Sequence, residues 1–533
     1  MRVSLGASFV TAIVLWAASP VVGLWWLAWV AIVPVAWVVV TMAGTRAARI
    51  AVPLACALYL ELLLVPALPF GLAEGQWGDA AVPVMVGDSP VLGVALVAIP
   101  LFGLLLYALR FGEPWGAELL GPRLALAATV LVPALAWTAL DLVRAKIDPG
   151  GAWGPLFLSQ ADAPTVELAA LGGPWLLTLV IVAFNYGLAV AIAKRRPSAV
   201  LVPAAAVAAL AVVAIAVERA EPDGREIAVA AIQPGYDTAE DETQDVLRYW
   251  RDGTYDLAAL DLIRDLGGLT REAAADGAEL VVWPEAVAFV NLRERRRPRA
   301  ALDRVAARTG TTIVAPYFDN ARSEGAAFAV APGGGATAPR PKQRPMWFLG
   351  EKGGDAPAPQ PLRAARASIG TQLGVDVQDP AVARRLADAG AELDTSSTHD
   401  WEQLAPQHRA LSELGAAATG IPVVRADWRY GSAIYGRDGA TLADAGVARD
   451  RTVLTARVET GSATPYARFG DWVGWAALAC AVAAGLAAAI ARRSATRAGG
   501  PAFGGREPRR GSRPRPPCPA PPRAGDAPSQ PPP

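Results

Sequence analysis

Two textures divide the chain: long uninterrupted apolar runs, and stretches in which apolar and polar positions interchange over a few residues. A run of about 18 or more apolar residues crosses a bilayer core of roughly 30 Å as a helix, with every backbone polar group satisfied internally. Eight such runs stand out, at residues 4–21, 24–43, 50–70, 91–109, 123–143, 174–193, 198–217 and 470–492. The pattern predicts seven spans within 1–217, a polar domain over 218–468, and an eighth span over 470–492. Arg2 before the first run, and Ala17, Ala18 and Ser19 at its end, also fit a cleaved secretory signal; the second run that follows at once favours a helical hairpin.

Between 218 and 468 short apolar strands alternate with helical stretches, which is the α/β pattern. Residues 227–233, 279–283, 311–316, 326–331 and 367–373 read as strands, 257–276 as a helical stretch that Gly267 and Gly268 could interrupt, and 381–389 as a helix closed by Gly390. Residues 391–395 begin another strand, 421–439 form a strand pair turned at its glycines, and 452–458 end the domain. After Arg493 the chain becomes Arg, Gly and Pro without apolar periodicity, so 493–533 is expected to be a disordered tail.

Composition agrees with this division. A chain of 533 residues that is 53% hydrophobic and 18% charged is too apolar for a soluble enzyme and too charged to be all membrane. Its formal net charge is zero, which gives no electrostatic footprint for nucleic acid. Cys56 and Cys480 fall inside apolar runs and Cys518 in the tail, so neither a disulfide framework nor a zinc cluster is expected, and no cofactor motif is present. Basic residues follow the second, fourth, sixth and eighth runs (Arg46 and Arg49; Arg110; Lys194, Arg195 and Arg196; Arg492 and Arg493). These loops share one side, which should be cytoplasmic, and that puts the 218–468 domain outside. Asp141, near the end of a span, has Arg144 three residues on; the pair is structural or a substrate contact, the former being favoured.

Candidate chemistry concentrates at strand ends and one loop. Glu285 follows a strand and the rigid Trp283-Pro284 pair, where a carboxylate serves as a cap or as a catalytic group. Lys342 opens the loop 341–351, and it is one of only four lysines (with Lys146, Lys194 and Lys352) in an arginine-rich chain, so Arg was not an equivalent there. Met346, Trp347 and Phe348, between Arg344 and Glu351, suit either an interfacial position or the domain core.

Taken together these pieces resemble the apolipoprotein N-acyltransferase family, the membrane branch of the nitrilase (carbon-nitrogen hydrolase) superfamily. The resemblance covers nearly the whole chain before the tail. It implies eight spans, with an extracytoplasmic nitrilase-like α-β-β-α sandwich inserted before the last one. It also implies transfer of an acyl chain from phospholipid to the N-terminal amine of a lipoprotein in the plasma membrane of a bacterium. The family works through a thioester on a cysteine, with a Glu base and a Lys that stabilises the oxyanion. Trp283-Pro284-Glu285 matches its Trp-Pro-Glu, and Lys342 with Gly350-Glu351 matches its Lys and Phe-Gly-Glu loop. Gln407 and His408 after Asp400-Trp401, Arg425, the 431–439 glycine-rich run and the 151–160 loop match further elements. Trp347, Glu351 and Asp376 are the residues expected to meet substrate.

The nucleophile departs from the family's pattern. The family's Ile-Cys-Tyr-Glu, anchored by the following Pro380 and helix, aligns with Leu373-Gly374-Val375-Asp376, so Gly374 stands where the cysteine belongs, and no cysteine occurs within 218–468. Ser368 and Thr371 lie six and three residues earlier. At ~3.3 Å per strand residue they are displaced by roughly 10 Å or more. Two readings follow. The chain is an acyltransferase-like protein acting on phospholipid and lipoprotein and impaired for lack of a nucleophile. Alternatively, it is a pseudoenzyme that binds lipid or lipoprotein and supports a partner membrane acyltransferase or glycosyltransferase.

Overall fold

A computed structural model describes residues 1–64, 122–146, 154–220, 224–235, 255–346, 350–353, 360–400, 402 and 404–497. The expected span at 91–109, the end of the 50–70 run, most of the tail and Trp347 fall outside the described residues. The N-terminal part contributes α1 (Arg2–Ala18), α2 (Val33–Thr41), α3 (Arg46–Leu64), α4 (Pro122–Ala145), α5 (Pro174–Lys194) and α6 (Ser198–Ala220). Among the described residues four segments are long and apolar enough to cross a membrane: Ala125–Ala145, Pro174–Lys194, Ser198–Val217 and Trp472–Ile490. The first two apolar runs form shorter helices than their length suggests. α1 stops at Ala18 because the residue before Pro20 is forced out of the helical region. The second run is a 3-10 turn (Trp25–Leu27), a single turn (Ala28–Ala31) and then α2, where Pro34 cannot donate to the ladder.

These helices pack through small residues. Ala28, Ala31, Val35, Ala36, Ala51, Ala55, Ala134 and Ala189 are fully buried in one shared cluster. Without a hydrophobic drive between helices in lipid, close backbone approach and buried hydrogen bonds hold them. Asn185 supplies two of the latter, accepting from Ile32 N at 2.9 Å and donating to Ala28 O at 2.9 Å.

The polar region is a four-layer α-β-β-α sandwich. The first sheet has the order β12-β1-β2-β3-β4-β5, built from β1 (Glu226–Gln233), β2 (Leu280–Val282), β3 (Thr312–Asp319), β4 (Glu324–Val330), β5 (Arg340–Pro341) and β12 (Thr452–Glu459). The second has the order β11-β10-β9-β8-β7-β6, built from β6 (Leu362–Ala364), β7 (Ala367–Leu373), β8 (Leu393–Thr398), β9 (Val423–Asp427), β10 (Ala433–Tyr435) and β11 (Thr441–Asp444). β1, β2 and β3 run parallel, as do β7, β8 and β9. Strands buried on both faces read as continuous apolar runs, and this is why the central ones were visible in the sequence. Val229, Val282 and Val314 of one sheet meet Ile369, Leu393 and Val424 of the other in the inner core.

Outside the first sheet lie α7 (Tyr255–Ala275) and α8 (Arg296–Thr309), burying Leu262, Leu266, Leu302 and Ala306 against it. α7 runs unbroken through Gly267 and Gly268; Gly267 faces Val305 of α8, and an added Cβ would approach that side chain at 2.9 Å. Outside the second sheet lie α9 (Pro380–Asp388) and α10 (Ala405–Thr419). Leu411, Leu414 and Ala418 of α10 share a buried cluster with Phe157, Trp175 and Leu176, so this layer rests directly on the apolar helices. α11 (Pro465–Phe469) and α12 (Trp472–Arg497) follow β12. The chain from Met1 to Ala487 is one compact unit, and a second unit begins at Ala488.

Candidate functional site

In an open parallel sheet the crevice beyond the carboxyl ends of the strands collects ligand groups. Glu285 and Gly374 both stand at such ends, after β2 and β7 respectively. Trp283 is fully buried, with its indole donating to Thr270 Oγ1 at 3.0 Å and its carbonyl accepting from Ser397 Oγ at 2.8 Å. Pro284 then ends the ladder. Glu285 is fixed through its backbone: its N–H reaches Thr398 O at 3.4 Å, and its carbonyl accepts from Trp428 Nε1 at 2.6 Å. The next residue, Ala286, has φ +53, a left-handed conformation that costs an L side chain about 1–2 kcal/mol and re-aims the chain here.

Lys342 extends the edge pairing of β5, donating its N–H to Gly325 O at 2.9 Å. Its ammonium lies 3.1 Å from Glu285 Oε1 and 3.1 Å from Glu351, with the lysine side chain only 2% exposed. Burial opposes the charge on Lys342, yet the two carboxylates outweigh it and hold the ammonium above its ordinary range. Burial pushes the Glu285 carboxyl up; Lys342 pulls it back only in part, and Glu351 adds repulsion. Glu351 also accepts from Met346 N at 2.7 Å, so the loop closes on itself.

Gly374 is buried with φ +50 and opens the 3-10 turn Gly374–Gln378. A Cβ added here would lie 2.7 Å from Glu285 Oε1 and closer still to Oε2. The Glu285 carboxylate thus fills the space that any side chain at 374 would begin in. Asp376, 1% exposed, accepts from Leu373 N at 3.0 Å, Gln343 N at 3.2 Å and Arg344 N at 2.6 Å. It pins the Lys342 loop to the end of β7, and burial raises its pKa to about 6. Ser368 and Thr371 are buried within β7. Among the described residues the free thiols are Cys56 and Cys480, in α3 and α12.

The structure therefore gathers Glu285, Lys342, Glu351, Gly374 and Asp376 in one place; Trp347 lies outside the described residues. His408, Arg425 and Asp400 form a separate buried network: His408 Nδ1 lies 2.8 Å from Asp400 Oδ1, and Arg425 also pairs with Asp400. Gln407 instead accepts from Gly154 N at 3.1 Å, tying α10 to the loop after α4. Two contributors had no local sign in the sequence. Trp428 buttresses Glu285, and Asp379 accepts from Lys146 at 3.3 Å and Arg344 at 3.0 Å.

A four-layer sandwich with a buried Glu–Lys pair at its strand ends defines a nitrilase-like carbon-nitrogen hydrolase domain, here carried on apolar helices. Residues 228–468 match the carbon-nitrogen hydrolase family model, and residues 11–187 match that of the apolipoprotein N-acyltransferase N-terminal domain. Together the two matches place the chain in the apolipoprotein N-acyltransferase family. Solved structures similar to it include an amidase from Nesterenkonia sp. (17% identity, 45% of this chain and 93% of that one, TM-score 0.35). Others are a carbon-nitrogen hydrolase from Helicobacter pylori G27 (15%, 44% and 89%, TM-score 0.36) and a branch 10 nitrilase-superfamily member from Saccharomyces cerevisiae (13%, 44% and 90%, TM-score 0.36). Comparison with curated proteins finds no match.

Proposed function

We propose that this acyltransferase-like protein keeps its site as a pocket for a phospholipid ester or a lipoprotein N-terminus and has lost the covalent step. Gly374 then stands at the vacant nucleophile position, Glu285 at the base position and Lys342 at the oxyanion position, with Trp347, Glu351 and Asp376 toward the substrate. Transfer through a thioester needs a thiolate to attack the ester carbonyl, a base to take the thiol proton, and a cation to hold the oxyanion. The observation that carries the reading is the contact between Gly374 and Glu285: the base-type carboxylate occupies the first atom of any side chain at 374. Such a pocket suits a chain that supports a catalytic acyltransferase or glycosyltransferase in the same membrane. The test is incubation of the purified protein with labelled phospholipid. No hydroxylamine-releasable acyl adduct is expected; an adduct abolished by Ser368→Ala or Thr371→Ala overturns the reading.

The same reading puts the chain in a bacterial plasma membrane, with 218–468 extracytoplasmic. In a cysteine-free background, Ala321→Cys, on an exposed turn after β3, should react with an impermeant maleimide in intact cells. Reaction only after lysis would reverse the orientation.

A further inference from the structure

Where the sandwich meets the last apolar helix, an arginine lacks the partner that its position calls for. Arg384 and Arg385 project from α9, whose Ala381, Val382, Ala383, Leu386 and Ala387 are buried. The Nε of Arg384 is shielded from solvent and has no hydrogen-bond acceptor, and among the described residues Arg384 makes no ion pair. Its guanidinium lies over the open face of Gly470: a Cβ added there would sit 3.5 Å from Nη1 and 3.6 Å from Cζ. Gly470, at φ +72, is the turn between α11 and α12, with the exposed Arg468 two residues before it.

Two of the acidic groups nearby in sequence are committed elsewhere. Asp379 holds Lys146 and Arg344, and Asp471 holds Lys146 at 3.2 Å together with the Trp175 indole and the Tyr466 hydroxyl. Asp388, four residues after Arg384, makes no ion pair with it among the described residues. The residues flanking Gly470 in the chain are exposed and aromatic: Phe469 is 74% exposed, Trp472 50% and Trp475 55%, the Trp472 indole donating to Leu171 O at 3.2 Å. Exposed tryptophans at the head of an apolar helix mark the level of lipid headgroups. A guanidinium at that level, with its terminal amines arranged as a planar fork, matches a phosphate.

We propose that Arg384 and Arg468, beside Phe469, Trp472 and Trp475, form a subsite for the phosphate of an anionic phospholipid whose acyl chains run along α12. This rests on α12 crossing the membrane and holds whatever the chemistry at Glu285. The probe is phosphatidylglycerol, titrated into the full chain in detergent and counted by native mass spectrometry. Arg384→Met and Arg468→Met should each weaken retention of one lipid about fivefold, the change that ~1 kcal/mol per basic residue at a lipid surface gives. Arg384→Lys, which keeps the charge and loses the fork, should fall between. Equal retention by the natural chain and by Arg468→Met, whose exposed side chain can be replaced without disturbing the fold, overturns the proposal. Displacement of the lipid by an equal concentration of inorganic phosphate also overturns it, because a free anion would then be the ligand.

Discussion

The ammonium of Lys342 lies 3.1 Å from Oε1 of Glu285, and Glu351 takes up its other side, so one buried cation is shared by two carboxylates. Burying such a group costs more than the pair returns unless the geometry is well matched, but removing one partner leaves an uncompensated charge. The arrangement therefore makes Lys342 indispensable to the local fold whether or not the site turns over a substrate.

Lys342→Met should destabilise the protein by about 3–5 kcal/mol near neutral pH, read from denaturant unfolding in detergent. The loss should shrink in acid. Glu285 already titrates above the ordinary glutamate range through burial, and without Lys342 it titrates higher still. The folded variant thus binds protons that the unfolded chain has released, and it regains stability as pH falls through that raised value. A loss that does not change between pH 5 and 8 would mean that the carboxylates had moved into solvent.

Gly374→Ala should cost about 1–3 kcal/mol, because φ +50 disfavours a Cβ and the new atom meets the Glu285 carboxylate. The clash is relieved by shortening its partner, so Gly374→Ala combined with Glu285→Ala should lose at least ~0.5 kcal/mol less than the two singles added. Additive losses would show that Glu285 swings aside freely. For the same reason Gly374→Cys alone should give at most weak acylation of the thiol, since Glu285 must first shift and a misplacement near 1 Å costs about a hundredfold.

How much of this was legible in the sequence depends on the range of each interaction. β7 and β12 mix apolar with polar positions, each after a flanking arginine, with Gly374 closing β7. β1 and β2 announce themselves as apolar runs bounded by Pro or charged residues, with Glu285 just beyond β2. α8 does not, because Leu302 and Ala306 are almost its only buried side chains after Pro298. α10 is hidden for the opposite reason: it is buried on nearly every side, and a helix without a polar face has no period to detect. β5, β6 and β11 hold only two to four residues each, too few for alternation to register. The Trp428–Glu285 contact joins residues 143 apart, and no local pattern encodes it.

Asp394 offers a pH prediction away from the site. It is fully buried between β7 and β8, accepting from Gln372 and from Thr395 N, and burial raises its pKa to about 7. With the folded value above the unfolded one, its carboxyl favours the native state in acid, and that advantage is lost as pH rises from about 4 to about 7. Asp394→Asn mimics the protonated form. It should raise stability at pH 8 by at most about 4 kcal/mol and flatten the slope between pH 5 and 7, as followed by thermal unfolding across pH. A variant less stable than the natural chain at pH 8 would mean that the ionised form is the one the strands hold.

Asp379 carries the opposite sign. Burial raises its pKa, but Lys146 and Arg344 outweigh burial and hold it below the usual carboxylate range. Its carboxylate also caps α9, accepting from Ala381 N at 3.0 Å. Lys146 follows α4 and reaches Asp471 at the head of α12, while Arg344 lies two residues beyond Lys342. One carboxylate therefore joins the Lys342 loop to two apolar helices. Asp379→Asn keeps the cap and removes the charge, so its stability loss reports the ion pairs. Stability from a lowered carboxyl is present above the unfolded value and fades as pH falls through the folded one. The variant should accordingly be about 2–3 kcal/mol less stable at pH 7, and the difference should shrink as pH falls below the usual carboxylate range, provided both remain folded there. The loop should respond as well. A spin label at Met346→Cys in a cysteine-free background should become more mobile in Asp379→Asn and in Lys146→Met, although Lys146 does not belong to the loop. Unchanged mobility in Lys146→Met would show that Asp379 serves α9 alone, and that the Lys342 loop is held by Asp376 without help from the apolar helices.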